Sequence, residues 1–209
     1  MANDFHKPTQ YSGDKFDTFE GGEDPAQIMR VAHDTAHALL SRVRDSDDPL
    51  VLDRLVGYTD EHGIDALAEL WARSSPRTLP GALWRIYLVR LLIRQDADGT
   101  SYLFQRGTEV LGTIDALVAG APMPTGPGEI TELADQILRG LFRGDFAVAL
   151  ERAAAFCRIT AAGSTSIADD FEQTNPERAT ELTTRALRLS QTAAELTTCA
   201  RLHHSGNLD

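Results

Sequence analysis

The sequence predicts an all-α protein, a multi-helix bundle of about seven to eight helices preceded by an extended N-terminal arm. Asp24, Asp48 and Asn175 each stand directly before a proline, and an acidic or amide cap followed by proline is typical of a helix start. Apolar residues then recur at intervals of three and four, which is the spacing of one helix face. No apolar-polar alternation is bounded by turn signals, so no strand is predicted.

Composition sets the class of protein before any motif is considered. The 209 residues are 42% hydrophobic and 24% charged, which is ordinary for a globular chain. There is no apolar run of about 18 residues and no basic-then-apolar leader, so we expect a cytoplasmic protein without a membrane span. The net charge of -11 repels phosphate backbones and anionic lipids, which makes nucleic acid an unlikely partner and excludes a membrane as one.

Residues 1–23 form a segment of their own, because they lack a helical period and carry Phe5, Tyr11, Phe16 and Phe19. A flexible, solvent-exposed tail is normally poor in aromatic residues. Two alternatives stay open: a flexible tail, or an arm that lies over the helical body or a neighbouring subunit.

Residues 24–209 are predicted to be a single helical domain. Helices are expected over residues 25–43, 49–61, 64–71, 80–95 and 100–118. The stretch 119–128 contains three prolines and three glycines in ten residues, so it is a possible hinge. Beyond it we expect helices over 129–142 and 145–162, a polar loop over 163–174, and a final helix of up to about thirty residues from Pro176.

The final helix contains an internal repeat, in which residues 181–186 (ELTTRA) return as 195–200 (ELTTCA). A spacing of two heptads places both copies on nearly the same face. The apolar stripe on that face favours tight packing inside the bundle, and the alternative is a self-association seam between two copies. The residues of that seam would be Leu182, Ala186, Ala193, Leu196 and Ala200.

The helix over 80–95 is apolar almost all round, which predicts a central position among other helices. Arg85, Arg90 and Arg94 are set into it, and an embedded guanidinium needs a carboxylate, a carbonyl or an anionic ligand. In so acidic a chain the pattern favours internal ion pairs. The alternative is an anion-binding site formed by these three arginines.

No residue pattern predicts a cofactor or a catalytic centre. His33 and His37 have the spacing of two metal ligands on a helix, but they lack a third ligand and fall on the polar face, so no metal site is predicted. Cys157 and Cys199 lie in helical segments and are expected to be small buried hydrophobes. There is no glycine-rich phosphate loop and no nucleophile elbow.

Four segments carry a resemblance: residues 4–8 (DFHKP), 11–16 (YSGDKF), 79–87 (LPGALWRIY) and 186–189 (ALRL). They resemble a family of small uncharacterised all-helical proteins from high-GC Gram-positive bacteria, some of which are labelled as an RNA polymerase β subunit. The resemblance implies no catalytic residues. The length and the absence of predicted strands give the β-subunit label no support.

Three functional hypotheses follow. The first is a non-enzymatic protein that binds a protein partner, or a second copy of itself in a homodimer. The second is a binding protein or enzyme for a small anionic ligand held by the arginines of the central helix. The third, a transcription-associated factor, is implied only by the family label.

Overall fold

The computed structural model describes residues 24–46, 48, 50, 51, 53, 54, 57, 71–123 and 125–209. Within these ranges the chain forms seven α-helices and no strand, which confirms the all-α fold class. No helix among them is long and apolar enough to span a bilayer. The helices are α1 (Pro25–Arg44), α2 (Leu79–Gln95), α3 (Ala97–Val110), α4 (Asp115–Ala119), α5 (Pro127–Arg143), α6 (Phe146–Phe171) and α7 (Pro176–His204).

Several helix starts follow the predicted capping chemistry. The Asp24 carboxylate accepts a hydrogen bond from the Ala26 amide at 3.0 Å, and α1 begins at Pro25. The Asn175 side chain accepts one from the Arg178 amide at 3.1 Å at the start of α7. These caps satisfy amide groups that have no partner inside the first helical turn. The arm predicted for residues 1–23, and most of the helices predicted over 49–61 and 64–71, lie outside the described residues.

The longest helices, α6 and α7, form an antiparallel pair with the most extensive helix-helix contact of the described chain. Helices α3, α4 and α5 also pack on α6, while α2 packs on α5 and α1 packs on α2. One hydrophobic core links these elements, and it includes residues from Ala32 in α1 to Ala200 in α7. The stretch 120–126, within the predicted hinge, joins α4 to α5.

Helices α3 and α6 approach each other closely at two glycines. A Cβ added to Gly163 would overlap the Leu103 carbonyl oxygen and lie 2.8 Å from the Gly107 amide nitrogen. A Cβ added to Gly107 would overlap the Ile159 carbonyl oxygen. Since the atoms on the other side are backbone, no side-chain rotation makes room for either Cβ.

Three expectations about local structure are wrong. The predicted polar loop over 163–174 is helical as far as Phe171, because Gly163 is buried against α3 and the Ser164 hydroxyl bonds the Thr160 carbonyl at 2.7 Å. The single helix predicted over 100–118 is two helices, separated at 111–114. The central helix α2 is not covered on every side, because Leu88 and Leu91 are 40% and 42% exposed.

Candidate functional site

The uncovered face of α2 forms one wall of a groove of about 770 Å³, and α7 forms the other. The two walls run antiparallel, since Arg85 near the start of α2 pairs with Glu195 near the end of α7. A volume of this size lies in the range of sites that hold small ligands or partner side chains. The groove is lined by Arg85, Leu88, Val89, Leu91, Leu92, Gln95, Asp96, Thr180, Glu181, Thr184, Arg185, Arg188, Leu189 and Thr192.

The apolar part of the groove comes from the leucine-rich face of α2. Leu88, Leu91 and Leu92 stand three and four residues apart, so they form one ridge along the helix. Val89 and Leu189 are buried and belong to the hydrophobic core. The ridge therefore exposes apolar surface along a firmly packed wall.

A second hollow of about 390 Å³ continues the groove toward the start of α2. The two hollows share Arg85, Leu88, Arg188 and Thr192, so they are parts of one elongated depression. Trp84 and Pro76 add further apolar surface at this end. The depression thus follows α2 from Trp84 to its C-terminal end.

Arg185 is the groove residue whose side chain holds a buried donor without an acceptor. Its Nη2 donates to the Thr100 hydroxyl at 3.0 Å, but its buried Nε–H has no acceptor within the described part of the chain. Burial lowers the pKa of Arg185, while the nearby Asp96 carboxylate raises it. A buried donor without a partner costs roughly 1–3 kcal/mol, and an acceptor placed in the groove would recover that cost.

Arg188 stands one turn further along α7 and is exposed. Among the described residues, neither Arg188 nor Arg185 has a carboxylate within ion-pair distance. The acidic groups at the end of the groove have other partners: Glu181 pairs with Arg178 at 3.0 Å, and Asp96 accepts from the Gly99 amide at 2.9 Å. The groove therefore offers two cationic groups that are not neutralised by an ion pair.

The three arginines predicted for an anion site all lie beside carboxylates. Arg85 pairs with Glu195 and also donates to the Gly81 carbonyl at 3.0 Å. Arg90 donates to Asp135 at 2.8 Å, and Arg94 lies 3.8 Å from the same carboxylate. Only Arg85 of the three lines the groove. These contacts are the ion pairs that the sequence favoured, and anion binding by the three arginines stays a prediction.

The residues predicted for self-association pack inside the chain. Leu182 is buried with Leu103, Ile167 and Ala168. The other four, which belong to the main core, are Ala186, Ala193, Leu196 and Ala200. All five side chains are buried in the folded chain, and self-association through this stripe stays a prediction.

The remaining candidates of the sequence lie apart from the groove. His33 Nδ1 and His37 Nε2 are 3.8 and 3.5 Å from the Asp209 carboxylate, and no cluster of three metal-ligating side chains occurs in the described ranges. Cys157 and Cys199 are buried as expected. Burial raises the pKa of their thiols to about 12 and about 11, which keeps both protonated near neutral pH.

Arg185 and Arg188 were missed by sequence reasoning, although the repeat in α7 holds a signal for the first. Arg185 occupies the place in ELTTRA that Cys199 occupies in ELTTCA. Cys199 is fully buried, and positions two heptads apart face the same way. An arginine in the register of a buried cysteine is expected to be partly desolvated.

Comparisons with protein-family models, with curated proteins and with solved structures found no match to this chain. The resemblance to small helical proteins of high-GC Gram-positive bacteria stays a prediction. The groove is therefore the feature from which a function is inferred.

Proposed function

We propose that this protein is a non-enzymatic cytoplasmic binding protein whose groove between α2 and α7 receives an anionic amphipathic ligand. The apolar part of the ligand covers the ridge of Leu88, Leu91 and Leu92, and its acidic group is bound by Arg185 and Arg188. The observation that carries the proposal is a buried guanidinium nitrogen without an acceptor beside an exposed leucine ridge.

The leucine ridge and the arginines of the groove both contribute to the binding free energy. Burying an exposed leucine side chain stabilises a complex by roughly 1.5–3 kcal/mol at most, and the leucines here are already about half covered. A charge-assisted hydrogen bond is shorter and stronger than a neutral one. Arg185 lines the groove, so an acid group bound there lies beside its guanidinium. An apolar ligand without an acid group would leave that donor unsatisfied.

Binding is favoured over catalysis by the kind of side chain that lines the groove. Leucine, valine and arginine recognise a ligand through burial and charge rather than through bond formation. The hydroxyls of Thr180, Thr184 and Thr192 donate to carbonyl groups of their own helix at 2.8–2.9 Å. Their protons are therefore engaged in α7, and the arginines are the cationic donors for a ligand.

The test is a calorimetric titration of the full chain with dodecanoate, kept below the concentration at which it forms micelles. We expect saturable binding at one site, weakened about tenfold or more in Arg185→Met and in Arg188→Met, because a hydrogen bond to a charged group contributes about 1.5–3 kcal/mol. Leu91→Ser should weaken it as well.

Matched controls are available on α7 and in the ligand. Arg201 and Leu187 are exposed on the same helix but do not line the groove, so Arg201→Met and Leu187→Ser should bind as the unaltered chain does. Dodecanol has the same alkyl chain without the acid and should bind at least tenfold more weakly. Equal affinity for dodecanoate in Arg185→Met, Arg188→Met and Arg201→Met would rule out the site.

A further inference from the structure

We infer that the ligand of this groove is an acidic amphipathic α-helix of a protein partner, which docks between α2 and α7. This inference rests on the proposed function and names the occupant of the same site. It is carried by the length of the depression, by the spacing of the exposed leucines and by the charge of the groove.

The shape of the depression fits a helix. It follows α2 from Trp84 to Asp96, a distance of about 18 Å at 1.5 Å per residue, which equals roughly three helical turns. Its walls are two antiparallel helices, so a third helix can seat its own ridge between them at the usual distance of about 8–10 Å from each axis. Leu88, Leu91 and Leu92 form the complementary ridge on α2.

A helix also accounts for the length of the apolar surface. Leu88 and Leu91 are exposed on a helix most of whose residues are buried, and Trp84 extends the apolar wall by one further turn. An amphipathic helix packs against such a surface with apolar side chains at intervals of three and four residues.

The charges define which helix fits. Arg185 and Arg188 are three residues apart on α7, so their side chains lie on one face about one turn apart. A partner helix with carboxylates on one flank, again three or four residues apart, meets both guanidinium groups at once. A helix with lysines on that flank would bring like charges together.

The experiment measures fluorescence anisotropy of labelled peptides of about 14 residues, a length that fills the groove. One peptide carries leucines at intervals of three and four residues with glutamates on one flank, and a second carries lysines in place of the glutamates. A third is the glutamate peptide with a central proline, which breaks the helix. The glutamate peptide should bind the full chain at least tenfold more tightly than either control.

Charge reversal makes the test specific to this groove. In the double variant Arg185→Glu, Arg188→Glu the preference should invert, so that the lysine peptide binds more tightly than the glutamate peptide. The double variant Arg42→Glu, Arg201→Glu changes two exposed arginines outside the groove and should keep the original preference. Melting curves verify that both variants fold.

Other outcomes overturn the inference in different ways. Binding of dodecanoate without binding of the glutamate peptide would leave a small-molecule site, so the helix would be rejected while the proposed function stands. Binding of neither probe would reject both. Equal binding of the proline peptide would mean an extended segment. Peptide binding that requires removal of residues 1–23 would make that segment of the chain the occupant in place of a partner.

Discussion

Replacing Gly163 by alanine is expected to destabilise the protein by about 3 kcal/mol or more, because the added methyl group collides with the backbone of α3. The obstacle is the Leu103 carbonyl oxygen together with the Gly107 amide nitrogen, and neither can rotate away. The two helices would have to separate along their contact. For a chain of this length, the melting temperature should fall by roughly 10 °C, as measured by calorimetry or circular dichroism.

Gly128 is the matched control for this substitution. It also lies in a helix, but a Cβ added there meets nothing within 4 Å. Gly128→Ala should therefore leave stability unchanged or raise it by about 0.5–1 kcal/mol, the usual gain for alanine over glycine in a helix. If Gly163→Ala melts at the temperature of Gly128→Ala, the close contact of α3 with α6 is not present in solution.

The second large effect is expected for Arg90→Met. Arg90 is 6% exposed and donates to Asp135 at 2.8 Å, so its removal leaves this largely buried carboxylate with Arg94 at the longer distance of 3.8 Å. Breaking a buried ion pair from one side costs about 3–5 kcal/mol. Tyr87 lies in the same environment: burial raises its pKa to about 12, although the charge of Arg90 lowers it.

Two further variants test whether burial of the ion pair is the reason for the large loss of stability expected in Arg90→Met. Arg178 pairs with Glu181 on the surface, where both side chains are more than half exposed, so Arg178→Met should cost less than about 1 kcal/mol. The double variant Arg90→Met, Asp135→Leu removes both charges and should recover part of the lost stability. An Arg90→Met protein as stable as Arg178→Met would contradict a structural role for this arginine.

The helical fold could be predicted because its signals are local. A cap, a proline and an apolar period lie within a few residues of each other, and they placed the starts of α1 and α7 correctly. The ion pairs of the central helix could be predicted as a class, since a guanidinium in an apolar helix of an acidic protein needs a carboxylate. Their partners, Asp135 and Glu195, are distant in the chain and no local pattern identifies them.

The errors have a common physical cause, which is tertiary packing. Residues 163–166 (GSTS) favour a loop by propensity, yet burial of Gly163 against α3 keeps the segment helical. In the same way, α2 is apolar on almost every side, which predicted that it would be fully buried. This prediction was wrong because periodicity shows which faces of a helix are apolar but not which neighbouring helices cover them. The groove is the face that its neighbours leave open.

The candidate site depends on two helices that are about one hundred residues apart in sequence but adjacent in the fold. Leu88 and Leu91 alone indicate an ordinary buried helix, and Arg188 alone indicates a solvated surface. Once α2 and α7 lie side by side, these residues line one groove. Of the groove residues, only Arg185 could have been identified from the sequence, because the repeat of α7 places it in register with the buried Cys199.

The most direct test of a ligand site between α2 and α7 is to follow the arginine Nε–H groups by nuclear magnetic resonance while the full chain is titrated with dodecanoate. We expect the Nε–H signals of Arg185 and Arg188 to shift together and to saturate, along with the methyl signals of Leu88 and Leu91. Arg152 is the internal reference, because its Nε–H donates to the Ala119 carbonyl at 3.0 Å outside the groove, and its signal should not move. An Arg185 signal that stays in place while dodecanoate binds, or shifts spread equally over Arg152 and the groove, would contradict a ligand site between α2 and α7.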